Sequence, residues 1–175
     1  MDEYTKWQQN YKLNFATKSK NSKVLDVYDY ILKHEYSDGD FWHHEGNAQL
    51  AMKLCKFEEA DFIDLKNDVN NWNYEQFEML INSLTEITKW KDQPSLPTFS
   101  YFFTSLFAVI KDEFKPLILE NSYFLWMGDA KPIEMLLPIR KYFFDKAIKS
   151  YSKEEVESNP FFKDIDKALE VANRN

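Results

Sequence analysis

The sequence predicts an all-α protein, and three observations carry that reading. Apolar residues recur at i, i+3 and i+4 in nearly every segment, the period of a helix with one buried face. The two-residue alternation of a half-buried strand is hard to find. Only three glycines stand against fifteen Phe, ten Tyr and five Trp, an aromatic load that gives the chain the apolar surface a disordered segment lacks. The 175 residues, 44% of them hydrophobic, suffice for one domain, 1–175, with a substantial core. Antiparallel helical hairpins are expected, packed as an irregular bundle or a HEAT-like stack.

The first helix is expected over about residues 2–17, where Trp7, Tyr11 and Phe15 stand four apart. A second covers about 23–36, with Val24, Leu25, Tyr28, Ile31 and Leu32 inward and Asp26, Asp29 and Lys33 outward. It stops at Ser37-Asp38-Gly39-Asp40, turn chemistry in which Gly39 is able to take a positive φ. The third, about 47–56, presents Leu50, Ala51, Leu54 and Cys55 to the core, so that Cys55 reads as a small buried residue. In the fourth, about 60–72, Phe62, Leu65, Val69 and Trp72 form the buried stripe. Asp61, Asp64 and Asp68 repeat that spacing beside it, which predicts an acidic ridge facing water. Asn73 caps a fifth helix, with Gln76 in capping-box register and Phe77, Leu80, Ile81, Leu84 and Ile87 inside. The short connection at 71–73 is expected to fold the fifth helix back on the fourth, carrying Glu75 and Glu78 to the ridge.

Residues 91–98, with Pro94 and Pro97, form the one clear break and mark where the domain would subdivide. Beyond it, Phe99, Phe102, Phe103, Leu106, Phe107, Val109 and Ile110 occupy nearly the whole circumference of a helix, which predicts a central, buried one. The runs at 116–119 and 123–127 are apolar segments that periodicity leaves open between helix and strand. Asp129 and Pro132 signal another helix, which Pro138 kinks or restarts. Ser152-Lys153-Glu154-Glu155 is a capping box, and Asn159 before Pro160 opens the last helix.

Charge is unevenly placed. Residues 26–86 hold fourteen Asp or Glu against four Lys, a local net charge of −10 in a chain of net −7. Such a field attracts cationic partners and repels nucleic acid and anionic membrane surfaces. No stretch of about 18 apolar residues exists to span a bilayer, and the first residues lack the pattern of a secretory signal. A cytoplasmic location is therefore expected.

Catalytic chemistry finds little foundation. There is no G-x-S-x-G elbow and no glycine-rich phosphate loop, and Cys55 has no partner in sequence to activate it. Asp38, Asp40, His43, His44 and Glu45 supply metal-ligand types, but adjacent histidines diverge by about 100° on a helix. A turn with helix caps is the simpler reading of that segment, and neither metal nor cofactor is expected. Trp42, beside the histidines, and Tyr74, beside the ridge, are the aromatic candidates to anchor a partner.

The run Phe57-x3-Asp61-Phe62-x2-Leu65-x6-Trp72-x4-Phe77-x2-Leu80-x3-Leu84 resembles the helical-hairpin pattern of α-helical immunity proteins from bacterial polymorphic-toxin and contact-dependent-inhibition systems. The resemblance covers about residues 47–88. It implies a small acidic cytoplasmic protein that binds and neutralises a cognate toxin domain, often a nuclease with a basic groove. It brings no catalytic residue. The partner surface expected from charge and from this resemblance comprises Asp61, Asp64, Asp68, Glu75 and Glu78, extended by Asp38, Asp40, Trp42 and Tyr74. A helical scaffold or adaptor, for which the acid would serve solubility alone, and a metal-dependent enzyme built on Asp38–Glu45 are the alternatives.

Overall fold

The computed structural model describes residues 15–174 together with Asp2 and Thr5. Most of the helix expected over 2–17, including Trp7 and Tyr11, lies outside the described residues, and its last residues, 15–17, are not helical. Among the described residues every regular element is helical and none is a strand. The fold is all-α. None of these helices is long and apolar enough to cross a membrane. The chain divides into two compact units, one of Met1–Gln93 with Val109–Phe114 and one of Pro94–Ala108 with Lys115–Asn175.

The first unit is organised around α1 (Ser22–His34). Asn21 caps it by accepting from the amides of Lys23 and Val24, and Val24, Val27, Tyr28, Ile31 and Leu32 are buried along one side. At its end Asp38 caps a helical turn, Gly39–Phe41, by accepting from the Phe41 amide at 2.8 Å. Gly39 does not use its conformational freedom here, since among the described residues Gly128 alone has a positive φ. A π-helical stretch, Trp42–Gly46, leads into α2 (Asn47–Leu54). Gly46 is needed there because the Trp42 ring lies against it, and a Cβ would stand 2.6 Å from that ring.

Next come α3 (Glu59–Asp68), begun by a reciprocal Glu58/Asp61 capping box, and α4 (Tyr74–Glu86), begun by the expected Asn73/Gln76 box. The expected hairpin of these two helices is corrected by the structure: α3 packs on α1, whereas α4 packs chiefly on α2. The cause lies in the connection. Trp72 and Asn73 are both extended, with ψ of 162 and 174. The Trp72 ring turns inward against Tyr28, at 5.1 Å between centroids, instead of ending a tight reversal. Cys55 is likewise not a core residue, because α2 ends at Leu54 and the thiol side chain beyond it is exposed.

The second unit contains α5 (Leu96–Leu106), α6 (Lys115–Glu120), a 3-10 turn at Ser122–Leu125, α7 (Ile133–Ala147), α8 (Lys153–Ser158) and α9 (Pro160–Asn173). The ambiguous apolar run at 116–119 is thus helical, and that at 123–127 is a 3-10 turn through Leu125. Phe99, Phe102, Phe103 and Leu106 are buried on α5, but Tyr101 is 51% exposed. The helix stops before Val109, which is also exposed, so burial over 99–110 is less complete than the residue types suggest. Pro138 sits exposed inside α7 between buried Leu136 and Ile139, and the helix continues through it. The Ser152/Glu155 box and the Asn159 cap form as their sequences specify. Between α5 and α7 the chain is held by its carbonyls. The Ser100 hydroxyl donates to those of Phe124 and Met127, and the Lys131 ammonium also donates to Met127. Lys131 is buried, and burial brings its pKa down to about 8.

Candidate functional site

The three aspartates of α3 lie on one edge of the helix, as their spacing requires, yet they do not form an open acidic ridge. Asp68 is 4% exposed. It accepts from the Thr17 hydroxyl, the Lys18 amide (2.7 Å), the Asn71 side chain (2.9 Å) and the Trp72 indole (2.9 Å). Asp61 is also buried, accepting from the Glu58 amide at 2.8 Å, the Asn21 side chain at 2.8 Å and the Lys23 ammonium at 2.7 Å. Asp64 remains exposed and takes a second hydrogen bond from Asn21 at 2.9 Å. The donors come largely from residues 15–23, some 40 to 50 positions earlier in the chain, which lie along α3. Lys18 and Lys20 line the same shallow depression, about 420 Å³, as Asp64, Asn67, Asp68 and Asn71. Local lysines therefore offset much of the ridge's charge.

The titration of these carboxyls follows from their partners. For Asp61 the Glu58 amide, Lys23 and Asn21 all favour the anion and hold the group at about 2, below its ordinary 3.8. For Asp68 burial opposes ionisation, but hydrogen bonds from Thr17, Trp72, Lys18 and Asn71 outweigh it and the pKa is lowered. A carboxyl depressed on folding contributes stability that is complete above its unfolded pKa and is lost as pH falls through the folded one. The urea midpoint of the first unit is thus expected to fall between about pH 4 and pH 2. Asp61→Asn should flatten that decline, and an unchanged acid profile in the variant would show that Asp61 does not drive it.

Other expected partner residues separate in the same way. Trp42 is not an exposed anchor: it is 8% exposed, its indole N–H donates to the His34 carbonyl at 3.1 Å, and its ring packs edge-on against Tyr30 and Phe41. Tyr74 is 36% exposed and Glu75 is exposed, while Glu78 is half-buried. Asp38 and Asp40 are exposed beside the histidine pair, although Asp38 is engaged as a cap. His43 and His44 are exposed neighbours with rings 4.9 Å apart. Among the described residues no three of His, Cys, Asp and Glu converge on a point where a metal ion would sit.

A different surface leaves its acid exposed to solvent. Asp26, Asp29, Lys33 and Tyr36 recur at i, i+3, i+7 and i+10 down the outer side of α1 and just past its end, and all four are exposed. Tyr36 is 56% exposed. Asp26 meets Lys53 of α2 at 2.8 Å, and the Asp29 carboxyl is raised by partial desolvation and then by the Asp26 charge. Helical spacing alone places Asp26 and Asp29 toward solvent. The signal that would have found this stripe was the aromatic Tyr36 continuing its spacing past the last turn.

No protein family, curated protein or solved structure was found to match this chain.

Proposed function

We propose that this chain is a non-catalytic cytoplasmic binding protein whose acidic first unit docks on a basic protein surface. The specific partner is a toxin domain of the kind that immunity proteins neutralise. One observation carries the reading: nine of the fourteen acids in residues 26–86 are exposed, against two of the four lysines. The docking face comprises the outer stripe of α1 with Asp26, Asp29 and the Tyr36 anchor, together with Asp38, Asp40 and Glu45. Asp64, Glu75, Glu78 and Tyr74 contribute as secondary acid and contact. Asp61, Asp68 and Trp42 act from inside the fold and make no contact with the partner.

Charges at the rim of an interface govern the rate of association more than its lifetime, whereas an exposed aromatic supplies the desolvated anchor. Immunity genes follow their toxin genes, so the gene directly before this one is expected to encode a protein with a basic terminal domain. That domain should form a one-to-one complex with this chain. Asp26→Lys with Asp29→Lys should slow association about tenfold at low ionic strength and much less above physiological salt. Stopped-flow mixing at two salt concentrations reads this directly. An unchanged rate at low salt, or an acidic neighbour that binds equally well, contradicts the proposal.

A further inference from the structure

The segment that covers α3 is itself bound as a ligand would be. Residues 15–20 form no helix, and they meet the body of the unit through main-chain amides, short side chains and the Phe15 ring. The Ala16 amide donates to the Tyr28 hydroxyl at 2.8 Å, and that hydroxyl in turn meets the Gln76 carboxamide oxygen at 3.3 Å. The Thr17 hydroxyl and the Lys18 amide both donate to Asp68. At the far end the Asn21 side chain bridges Asp61 and Asp64. The Phe15 ring stands edge-on to Tyr28 at 5.6 Å. Of the strap's side chains only Thr17 is buried, while Phe15, Lys18 and Lys20 are exposed. Thr17 and Lys18 make charge-assisted hydrogen bonds to Asp68 and Ala16 a neutral one to Tyr28, and with Thr17 as the one buried side chain of residues 15–20 these bonds position the segment without locking it into a core.

We propose that the groove along α3, with Tyr28 of α1 at one end, is a binding site for a peptide segment, occupied in cis by residues 15–20 as a displaceable strap. The groove fits an aromatic residue, a hydroxyl residue two positions later and a free main-chain amide after that, while Asn21 stays in place as the cap of α1. A partner segment carrying this pattern takes the strap's place and leaves the helices as they are. Asp68 is the recognition point, since it alone receives both the hydroxyl and the amide that follows it. This groove is separate from the outer stripe of α1, so either proposal can fail without the other.

A tethered strap competes at an effective concentration on the order of millimolar, which masks the groove from a free peptide in the native chain. The test therefore uses full-length chains weakened in the strap: Thr17→Val, which removes the hydroxyl, and independently Lys18→Pro, which removes the amide. The probe is a fluorescent peptide with the sequence of residues 15–20, blocked at both ends. In either variant tryptic cleavage after Lys20 is expected to accelerate at least tenfold with the helical circular dichroism unchanged. The peptide should then bind the variant at least tenfold more tightly than the native chain, and a peptide with valine for threonine should bind at least tenfold more weakly than the natural one. Cleavage that does not accelerate overturns the proposal, as does a peptide that binds no chain or binds all chains alike. Loss of helix in both variants overturns it too, because the segment would then be part of the fold and not a ligand to it.

Discussion

Replacing Asp68 with alanine is expected to destabilise the first unit by about 3 kcal/mol or more, because four buried or part-buried donors, from Thr17, Lys18, Asn71 and Trp72, lose their acceptor at once. The Trp72 indole has the Asp68 carboxylate as its acceptor at 2.9 Å, and Trp72 is 1% exposed. The Lys18 amide loses its acceptor in the same step. Each orphaned donor costs about 1–3 kcal/mol, and bonds to a charged acceptor lie toward the upper end. Asp68→Asn should fall between, since one oxygen remains to accept while the new amide faces donors. Asp64→Ala is the control: that residue is exposed, and its loss should stay within about 0.5 kcal/mol. Urea unfolding followed by tryptophan fluorescence at neutral pH separates the three. Equal midpoints for Asp68→Ala and Asp64→Ala would refute the assignment of Asp68 to the interior. The same comparison guards the functional test, since a charge reversal at Asp68 would weaken any partner by disturbing the fold.

The second large effect is expected at Gly128. Its φ of 68 is in the left-handed region, and a Cβ there would stand 2.9 Å from the Pro97 α-carbon and 3.2 Å from the Pro97 nitrogen. The left-handed conformation alone costs an alanine about 1–2 kcal/mol. The clash is with backbone, which cannot rotate away, and forced overpacking adds about 1–3 kcal/mol. Gly128→Ala should therefore destabilise the second unit by about 2–5 kcal/mol. The preceding Met127 carbonyl, which receives both Ser100 and Lys131, would be pulled out of place with it. Gly39→Ala makes the contrast: nothing lies within 4 Å of its Cβ position and its φ is not positive, so its effect should be close to neutral. A Gly128→Ala midpoint equal to that of Gly39→Ala would contradict this account.

These two glycines show where sequence reading reaches its limit. Gly39 sits in Ser-Asp-Gly-Asp, the composition that calls for a left-handed turn, and does not adopt one. Gly128 follows an apolar run, directly before Asp129, and does. Turn composition states what a residue tolerates. Which residue is asked to use that tolerance depends on what approaches it, and Pro97 approaches Gly128 from thirty residues away.

The local devices were legible. The Asn73/Gln76 and Ser152/Glu155 boxes and the Asn159-Pro160 start depend on residues within one turn of each other, and all of them form as read. The spacing of Asp61, Asp64 and Asp68 also put them correctly on one edge of a helix. Their environment was not legible, because periodicity reports the angle between side chains and not what packs against them. Thr17, Lys18 and Asn21 reach these carboxylates across 40 to 51 positions, and a carboxylate given several donors is buried where a solvated one is not. Trp42 went inside for a related reason, since its indole finds the His34 carbonyl and a glycine leaves room for its ring. The sequence by itself determined an all-helical chain with its caps, its apolar stripes and an acidic middle third, all consequences of short-range geometry and composition. Only the tertiary structure decided which of those acids meet water and which hold the chain together, because that depends on donors brought from distant positions, whose hydrogen bonds offset the cost of burying a charge.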